Sequence, residues 1–139
     1  MTSFEHFELS RDDADIAWLT IDVKGRSANI LSQQVMGELI KAVDGLAADP
    51  PAGFVFRSGK KRGFIFGADI NEFALLETRS AVESHICEVL ACFRKIEEMA
   101  CPTVILVDGL FVGGGLELAL SLERFVCIDD SSCQLGVAE

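Results

Sequence analysis

The 139-residue sequence contains no apolar run of the roughly 18 to 20 residues that a membrane-spanning helix needs. Its first residues also lack the basic and apolar regions of a secretory signal peptide. The five cysteines are odd in number and form no Cys-x-x-Cys pair, which argues against a disulfide framework and against a metal site. These absences predict a cytoplasmic protein with reduced thiols, no transmembrane segment and no metal.

Basic residues are scarce as well. Twelve lysines and arginines face 22 acidic residues, and the net charge of −10 argues against a nucleic-acid partner, whose phosphates need a basic surface. One segment departs from this balance, because Arg57, Lys60, Lys61 and Arg62 place four positive charges within six residues. Such a cluster is compatible with a solvated loop or with a site for ligand phosphates, and both interpretations stay open.

Several nucleotide-binding and hydrolase motifs are absent. Leu118 occupies the third glycine position of a G-x-G-x-x-G fingerprint, and the Lys-Ser/Thr of a P-loop is replaced by Gly-Leu. There is no G-x-S-x-G, and the two histidines, His6 and His85, lie far apart in the sequence. His85 falls in a predicted helix, where we expect it at the surface or half-buried. A serine hydrolase therefore has no support.

The apolar residues that are present follow the spacing of an α/β domain. Half of the residues are hydrophobic, enough for one globular core. Strands are predicted at residues 16–22, 53–56, 103–107 and 124–128. Ser32 is the expected N-cap of one helix, and a capping box of Ser80 and Glu83 is expected to open a second, with apolar positions recurring from Val82 to Met99. Strands that alternate with helices predict a sheet that is at least partly parallel.

Two glycine turns carry the chemical information. At residues 113–115 three glycines separate a predicted strand from a predicted helix, where they let the backbone approach a ligand and leave N–H groups free. Glu117 follows just inside that helix. The second turn, at residues 66–70, indicates by itself only a tight turn before a helix. Together, the two turns can grip one carbonyl oxygen from two sides, and one such oxyanion donor is worth about 2.7–4 kcal/mol in a transition state.

The order of these motifs resembles the crotonase (enoyl-CoA hydratase/isomerase) superfamily. The likeness covers nearly the whole chain and is carried by residues 27–32, 67–70, 102–104, 108–119 and 135–139. Within the superfamily, the sequence is similar to the N-terminal hydratase region of multifunctional fatty-acid oxidation α-subunits. The resemblance implies an α/β, crotonase-like (ClpP/crotonase) spiral of ββα units. Residues 1–139 are then expected to be the N-terminal part of such a domain, truncated at the C-terminal side.

The resemblance also implies the site residues. The backbone N–H groups of Phe66 and Gly114 would form an oxyanion hole for a thioester carbonyl. Glu117 and Glu139 would be the catalytic carboxylates, with Glu117 activating a water for attack on C3 of the substrate and Glu139 exchanging the proton at C2. Substrate-binding positions are implied at Ala28, Gly67, Ala68, Asp69, Ile70 and Gly113.

The function implied by the resemblance is that of an enoyl-CoA hydratase, a lyase of fatty-acid β-oxidation that converts 2-trans-enoyl-CoA to 3-hydroxyacyl-CoA. The CoA thioester is the substrate, hydration needs no cofactor, and NAD would serve only a dehydrogenase domain further along a multifunctional chain. A 3,2-enoyl-CoA isomerase, another crotonase-type acyl-CoA enzyme and an inactive CoA-binding or assembly fragment stay open as alternatives. A homo-oligomer, as a trimer or hexamer, or a β-oxidation complex is the expected assembly. The sequence does not determine the acyl chain length.

Overall fold

The computed structural model describes residues 3–61 and 63–137. In chain order its elements are β1 (Phe7–Arg11), β2 (Ile16–Ile21), α1 (Gln33–Ala48), β3 (Gly53–Ser58), α2 (Ile70–Phe73), α3 (Arg79–Glu97), β4 (Thr103–Val107), β5 (Leu110–Val112), α4 (Gly114–Leu120), β6 (Arg124–Cys127) and β7 (Gln134–Gly136). Five of the strands form one sheet in the order β1-β2-β3-β4-β6. β1 and β2 are antiparallel, whereas every other pair in this sheet is parallel. The predicted α/β class is confirmed.

The middle strands of the sheet carry the hydrophobic core. Leu19 of β2, Phe56 of β3 and Ile105 of β4 are fully buried. On one side the sheet is covered by α1, whose Leu39 and Val43 are also fully buried. Burial on this scale explains why these strands are rich in branched and aromatic residues.

A second, smaller layer of extended chain follows the main strands. Leu31 bridges to Ala68 in parallel, and residues 65 and 111 form a second parallel bridge. The short strands β5 and β7 also pair in parallel. The chain thus repeats a strand of the main sheet, a short extended segment and a helix, as in β4, β5 and α4. This repeat is the spiral of ββα units that we expected.

The helix caps agree with the sequence in one case and differ in the other. The Ser32 hydroxyl accepts a hydrogen bond from the Val35 N–H at 3.2 Å, as the N-cap prediction requires. The predicted capping box of Ser80 and Glu83 is wrong, because α3 begins at Arg79 and its N-cap is Thr78. The Glu83 carboxylate instead pairs with Arg79 at 2.6 Å, one helical turn away.

Helix α3 buries only the C-terminal part of its apolar stripe. Cys92, Phe93 and Ile96 are buried, whereas Ile86 and Leu90 are 44% and 58% exposed. The exposed part of the stripe borders a cleft that is described below.

Among the helices in the described residues, none is long and apolar enough to cross a membrane.

Candidate active site

The first glycine turn forms the N-terminus of α4. Gly113 is the N-cap residue, with φ 52° and ψ −127°, and its carbonyl accepts a hydrogen bond from the Glu117 N–H at 3.0 Å. Gly115 packs so closely on the preceding layer that a β-carbon there would lie 2.6 Å from the Ile65 carbonyl oxygen. The Gly114 N–H, at the first helical position, has no acceptor among the described residues. This amide is therefore free to bind a ligand oxygen.

The second glycine turn is held by residues 29–31. The Leu31 N–H donates to the Gly67 carbonyl at 2.8 Å, and the Phe66 N–H donates to the Asn29 carbonyl at 2.9 Å. The expectation that Phe66 supplies a free oxyanion donor is therefore wrong for this structure. The short parallel pairing of the two segments occupies that amide, while the Phe66 side chain is 39% exposed on a different groove.

Two amides next to Phe66 are better placed to bind a ligand. Neither the Gly67 nor the Ala68 N–H has a protein acceptor in the part of the chain that the structure describes. Gly67 has φ +103°, and a β-carbon on it would lie 3.8 Å from the Gly114 nitrogen. The two turns therefore lie close to each other, which is a precondition for two backbone donors to share one oxyanion.

The turns open into one cleft of about 280 Å³. Glu117, Gly114 and Ala68 line this cleft, so the structure brings together three of the predicted site residues. Seven further residues of the described ranges line it, and all except the histidine are apolar: Leu31, Met36, Phe73, His85, Ile86, Val89 and Leu90. Glu117 is exposed, and among the described lining residues it is the one that carries a carboxylate.

Asn29 is a positioning residue whose role no local sequence motif indicates. Its side-chain oxygen accepts from the Val23 N–H at 3.0 Å, and its amide donates to the Ser58 hydroxyl and the Phe64 carbonyl, both at 2.9 Å. Because the side chain is 1% exposed, these bonds form away from water. Asn29 thus holds together the end of β3, at Ser58, and the segment before the second turn, at Phe64.

Asp69 and Ala28 lie where the two segments adjoin. The Asp69 carboxylate is buried, caps α2 by accepting from the Asn71 N–H at 3.0 Å, and pairs with Arg26 at 3.2 Å. Ala28 is half-buried in the segment 26–31 that runs beside the turn. Ile70, by contrast, is 79% exposed and does not line the cleft. The buried Asp69 carboxylate therefore stabilises the second glycine turn through its bonds to Asn71 and Arg26.

Two residues of the basic cluster at positions 57–62 form contacts within the fold. The Lys60 ammonium donates to the carbonyls of Val23 and Arg26 at 2.7 and 2.8 Å and pairs with Asp22 at 2.8 Å. The Arg57 guanidinium lies over the ring of Trp18, 5.1 Å from its centroid. Both cationic groups therefore already have partners within this chain, although Arg57 remains exposed. Lys61 lines the groove beside Phe66, and Arg62 lies outside the described residues.

Glu139, the second predicted carboxylate, lies outside the described residues. The strand before it, β7, does reach the site. The Gly136 carbonyl accepts from the Gly113 N–H at 3.2 Å, and the Gln134 N–H donates to the Gly109 carbonyl at 3.3 Å. β7 therefore runs directly beside the glycine turn at the start of α4.

One group of potential metal ligands lies elsewhere, at Glu5, His6 and Glu38. Hydrogen bonds already use these groups. The Glu38 carboxylate accepts from the Glu5 and His6 N–H groups at 3.2 and 2.9 Å, and the His6 Nδ1 accepts from the Lys24 N–H at 3.2 Å. These bonds anchor the residues just before β1 to α1, which gives the group a structural role.

Sequence comparison matches residues 12–138 to the enoyl-CoA hydratase/isomerase family model. The fatty acid oxidation complex subunit alpha of Aliivibrio fischeri is 36% identical over 141 residues, a match that covers 100% of this chain and 20% of that protein. The corresponding subunit of Shewanella amazonensis is 38% identical over 134 residues. The chain thus spans about a fifth of the length of these curated relatives.

Structural comparison gives the same fold. An enoyl-CoA hydratase/carnithine racemase from Magnetospirillum magneticum superposes with a TM-score of 0.84 at 25% identity, over 97% of this chain and 50% of that one. An enoyl-CoA hydratase from Bacillus anthracis superposes with the same TM-score of 0.84 at 19% identity, over 96% of this chain and 50% of that one. With the family model matched along residues 12–138, the chain belongs to the enoyl-CoA hydratase/isomerase (crotonase) family.

Proposed function

We propose that the cleft between the glycine turns binds an enoyl-CoA thioester and that the protein acts as an enoyl-CoA hydratase in fatty-acid oxidation. One observation carries this proposal. Gly114, whose N–H has no acceptor among the described residues, lines the same largely apolar cleft as Ala68 and Glu117. An apolar cleft with a few convergent polar groups is the usual form of a site for an acyl ligand.

The thioester carbonyl would lie between the two turns. The Gly114 N–H and an N–H of the Gly67–Ala68 pair would donate to its oxygen. Nucleophilic attack at C3 shifts the C2=C3 electron pair toward this oxygen, so the enolate charge would develop on the atom to which these amides donate. Preorganised donors stabilise that charge more than they stabilise the neutral ground state.

Glu117 would act as the general base that accepts a proton from the attacking water. The water oxygen bonds to C3 while the carboxylate accepts a proton, and C2 receives one proton as the enolate collapses. We assign that second transfer to Glu139, which follows β7 along the chain. Glu139 would start as the carboxylic acid, and the proton taken up by Glu117 would return to it through exchange with solvent after each turnover. Two carboxylates in one site suit such a reaction because one can accept the proton of water while the other delivers a proton to carbon. Addition of water needs neither a redox cofactor nor a metal.

Calorimetry together with an activity assay tests this function. Butyryl-CoA, a saturated analogue, is titrated into the chain, and hydration of crotonyl-CoA is followed on the same sample by the loss of enoyl absorbance. We expect butyryl-CoA to bind and crotonyl-CoA to be hydrated. Absence of binding by a sample whose circular dichroism shows a folded α/β protein would overturn the proposed function.

A further inference from the structure

Two cysteines flank the short segment that joins β6 to β7. Cys127 is the last residue of β6, and Cys133 directly precedes β7. Cys127 pairs with Val107, and the Gln134 N–H donates to the Gly109 carbonyl at 3.3 Å. Because Val107 and Gly109 are two residues apart, their Cα atoms lie within about 7 Å of each other. Both ends of the segment are therefore anchored at nearly the same place on the neighbouring chain.

The segment itself forms a tight turn. The Asp130 N–H donates to the Ile128 carbonyl at 3.0 Å, and the Cys133 N–H donates to the Asp130 carbonyl at 3.1 Å. These bonds lead the chain back toward its start, and the thiols of Cys127 and Cys133 share a hydrogen bond. Partial burial of the sulfur, and after it this bond, raises the pKa of the Cys127 thiol. Cys127 and Cys133 thus form a thiol pair.

The thiol pair differs from the other cysteines in its access to solvent and in its geometry. Cys127 is exposed and Cys133 is half-buried, so a small solute can reach the Cys127 sulfur. Cys92 and Cys101 are buried, and Cys87 is exposed on α3. Cys87 and Cys92 are five residues apart on this helix, so their side chains point to different faces. Contact and access to solvent therefore coincide at the thiol pair.

We propose that Cys127 and Cys133 are a modification site, at which a low-molecular-weight disulfide such as oxidised glutathione closes a reversible intramolecular disulfide. The Cys127 thiolate would attack one sulfur of the small disulfide, which forms a mixed disulfide and releases one thiolate. The Cys133 thiolate would then attack the Cys127 sulfur and release the second. The two protein thiols are thereby oxidised, the small disulfide is reduced to two thiols, and the two thiol protons pass through water to the released thiolates.

Closure of this bond would restrain β7. The closed ring spans residues 127–133, and β7 begins at the next residue. The Gly136 carbonyl of β7 accepts from the Gly113 N–H at the start of α4. A covalent ring that fixes the start of β7 lowers the entropy that the chain gains when this strand separates. The oxidised form should therefore hold β7 against the first glycine turn more firmly than the reduced form does.

Mass spectrometry of the wild-type chain in glutathione redox buffers tests the proposal. After N-ethylmaleimide blocks the free thiols, trypsin cleaves behind Arg124 and releases residues 125–139, which hold both cysteines of the pair and no lysine or arginine. A closed pair leaves this peptide unblocked and lighter by two hydrogen atoms, whereas an open pair takes up two blocking groups. The peptide 80–94, which contains Cys87 and Cys92, is the internal control.

The comparison is between the folded chain and the same chain in urea. We expect residues 125–139 to close, in the folded chain, at a ratio of oxidised to reduced glutathione at least about tenfold lower than in urea, because the fold holds the two sulfurs together. The peptide 80–94 should close no more readily in the folded chain than in urea. Equal midpoints of residues 125–139 in the two states would overturn the proposal, as would two glutathione adducts in place of the closed bond.

Hydrogen exchange measured by NMR tests the effect on β7. The Gln134 and Gly113 amides, which donate the bonds that hold this strand, should exchange more slowly in the oxidised wild type than in the reduced wild type. Cys127→Ser cannot close the bond and should show no such difference, whereas Cys87→Ser should behave as the wild type does. Unchanged exchange at both amides after closure would refute the restraint of β7.

Discussion

Gly67 faces Gly114 across the candidate site, so closely that a β-carbon on Gly67 would lie 3.8 Å from the Gly114 nitrogen. The facing turns come from different repeats of the spiral, one after β3 and the other after β5. Their relative position is set by the bonds that hold residues 66–69 to residues 29–31 and by the close packing of Gly115 on Ile65.

Gly67→Ala should impair turnover more than binding. The β-carbon would stand beside the Gly114 N–H, and φ +103° is strained for alanine. Since losing one oxyanion donor typically costs about 10²–10³ in kcat, we expect a fall of that order in crotonyl-CoA hydration. Gly45→Ala is the control for a harmless glycine replacement. An unchanged kcat for Gly67→Ala would show that the space beside Gly114 is not used.

Asn29→Ala should destabilise the fold. The change removes the partners of the Val23 N–H and the Phe64 carbonyl, in a region shielded from water. Orphaned buried groups of this kind cost about 1–3 kcal/mol each, so urea unfolding should show a loss on the order of 2–4 kcal/mol. Asn71→Ala, at an exposed position, should change stability little. Equal stabilities of the two variants would refute the anchoring role of Asn29.

Asp22 makes part of the stability depend on pH. Hydrogen bonds from Lys24 and then Lys60 lower the pKa of Asp22 below its ordinary value of 3.8. A lowered folded-state pKa means that the ionised group stabilises the fold above pH 3.8, and that this contribution is lost as the pH falls through the folded-state value. Because the carboxylate is 38% exposed, solvent screening keeps its contribution small.

Asp22→Asn should therefore lower the Tm at neutral pH, by an amount that shrinks as the solution is acidified below pH 3.8. Thermal melts at a series of pH values measure this difference. Asp13→Asn, at an exposed acidic position, is the control. A Tm difference between wild type and Asp22→Asn that stays constant down to low pH would contradict the ion-pair account.

Cys92 should resist alkylation in the native protein. Its side chain is buried, and burial together with the charge of Asp44 raises the pKa of its thiol to about 11. Cys87 is exposed on the same helix and serves as the internal reference. At pH 8, iodoacetamide followed by mass spectrometry should label Cys87 well before Cys92. Equal labelling rates under native conditions would show that α3 does not bury Cys92.

Sequence patterns predicted the parts of the site that depend on local chemistry. The run of glycines identified the N-terminus of α4 and placed Glu117 in its first turn, and helical spacing with a serine cap located α1. The alternation of strands and helices was enough for the α/β class, because each main strand is long enough to show its pattern.

The remaining features depend on pairing between distant segments. The three-residue strands β5 and β7 are too short to show a period, and β1 has only one buried residue, Phe7. The Phe66 N–H is occupied because residue 29 runs beside it, which no local signal at residue 66 reveals. His85 reaches the cleft because α3 leaves much of its apolar stripe uncovered.

We propose that Glu117 performs chemistry in a cleft that binds an enoyl-CoA thioester, and the Glu117→Gln substitution removes its proton-accepting carboxylate. Hydration of crotonyl-CoA and calorimetric binding of butyryl-CoA are measured on wild type, Glu117→Gln and the exposed control Glu123→Gln. We predict that Glu117→Gln keeps thioester binding but loses at least about 10²-fold in turnover, since it removes the proton acceptor, while Glu123→Gln matches wild type. Normal hydration by Glu117→Gln would contradict the account.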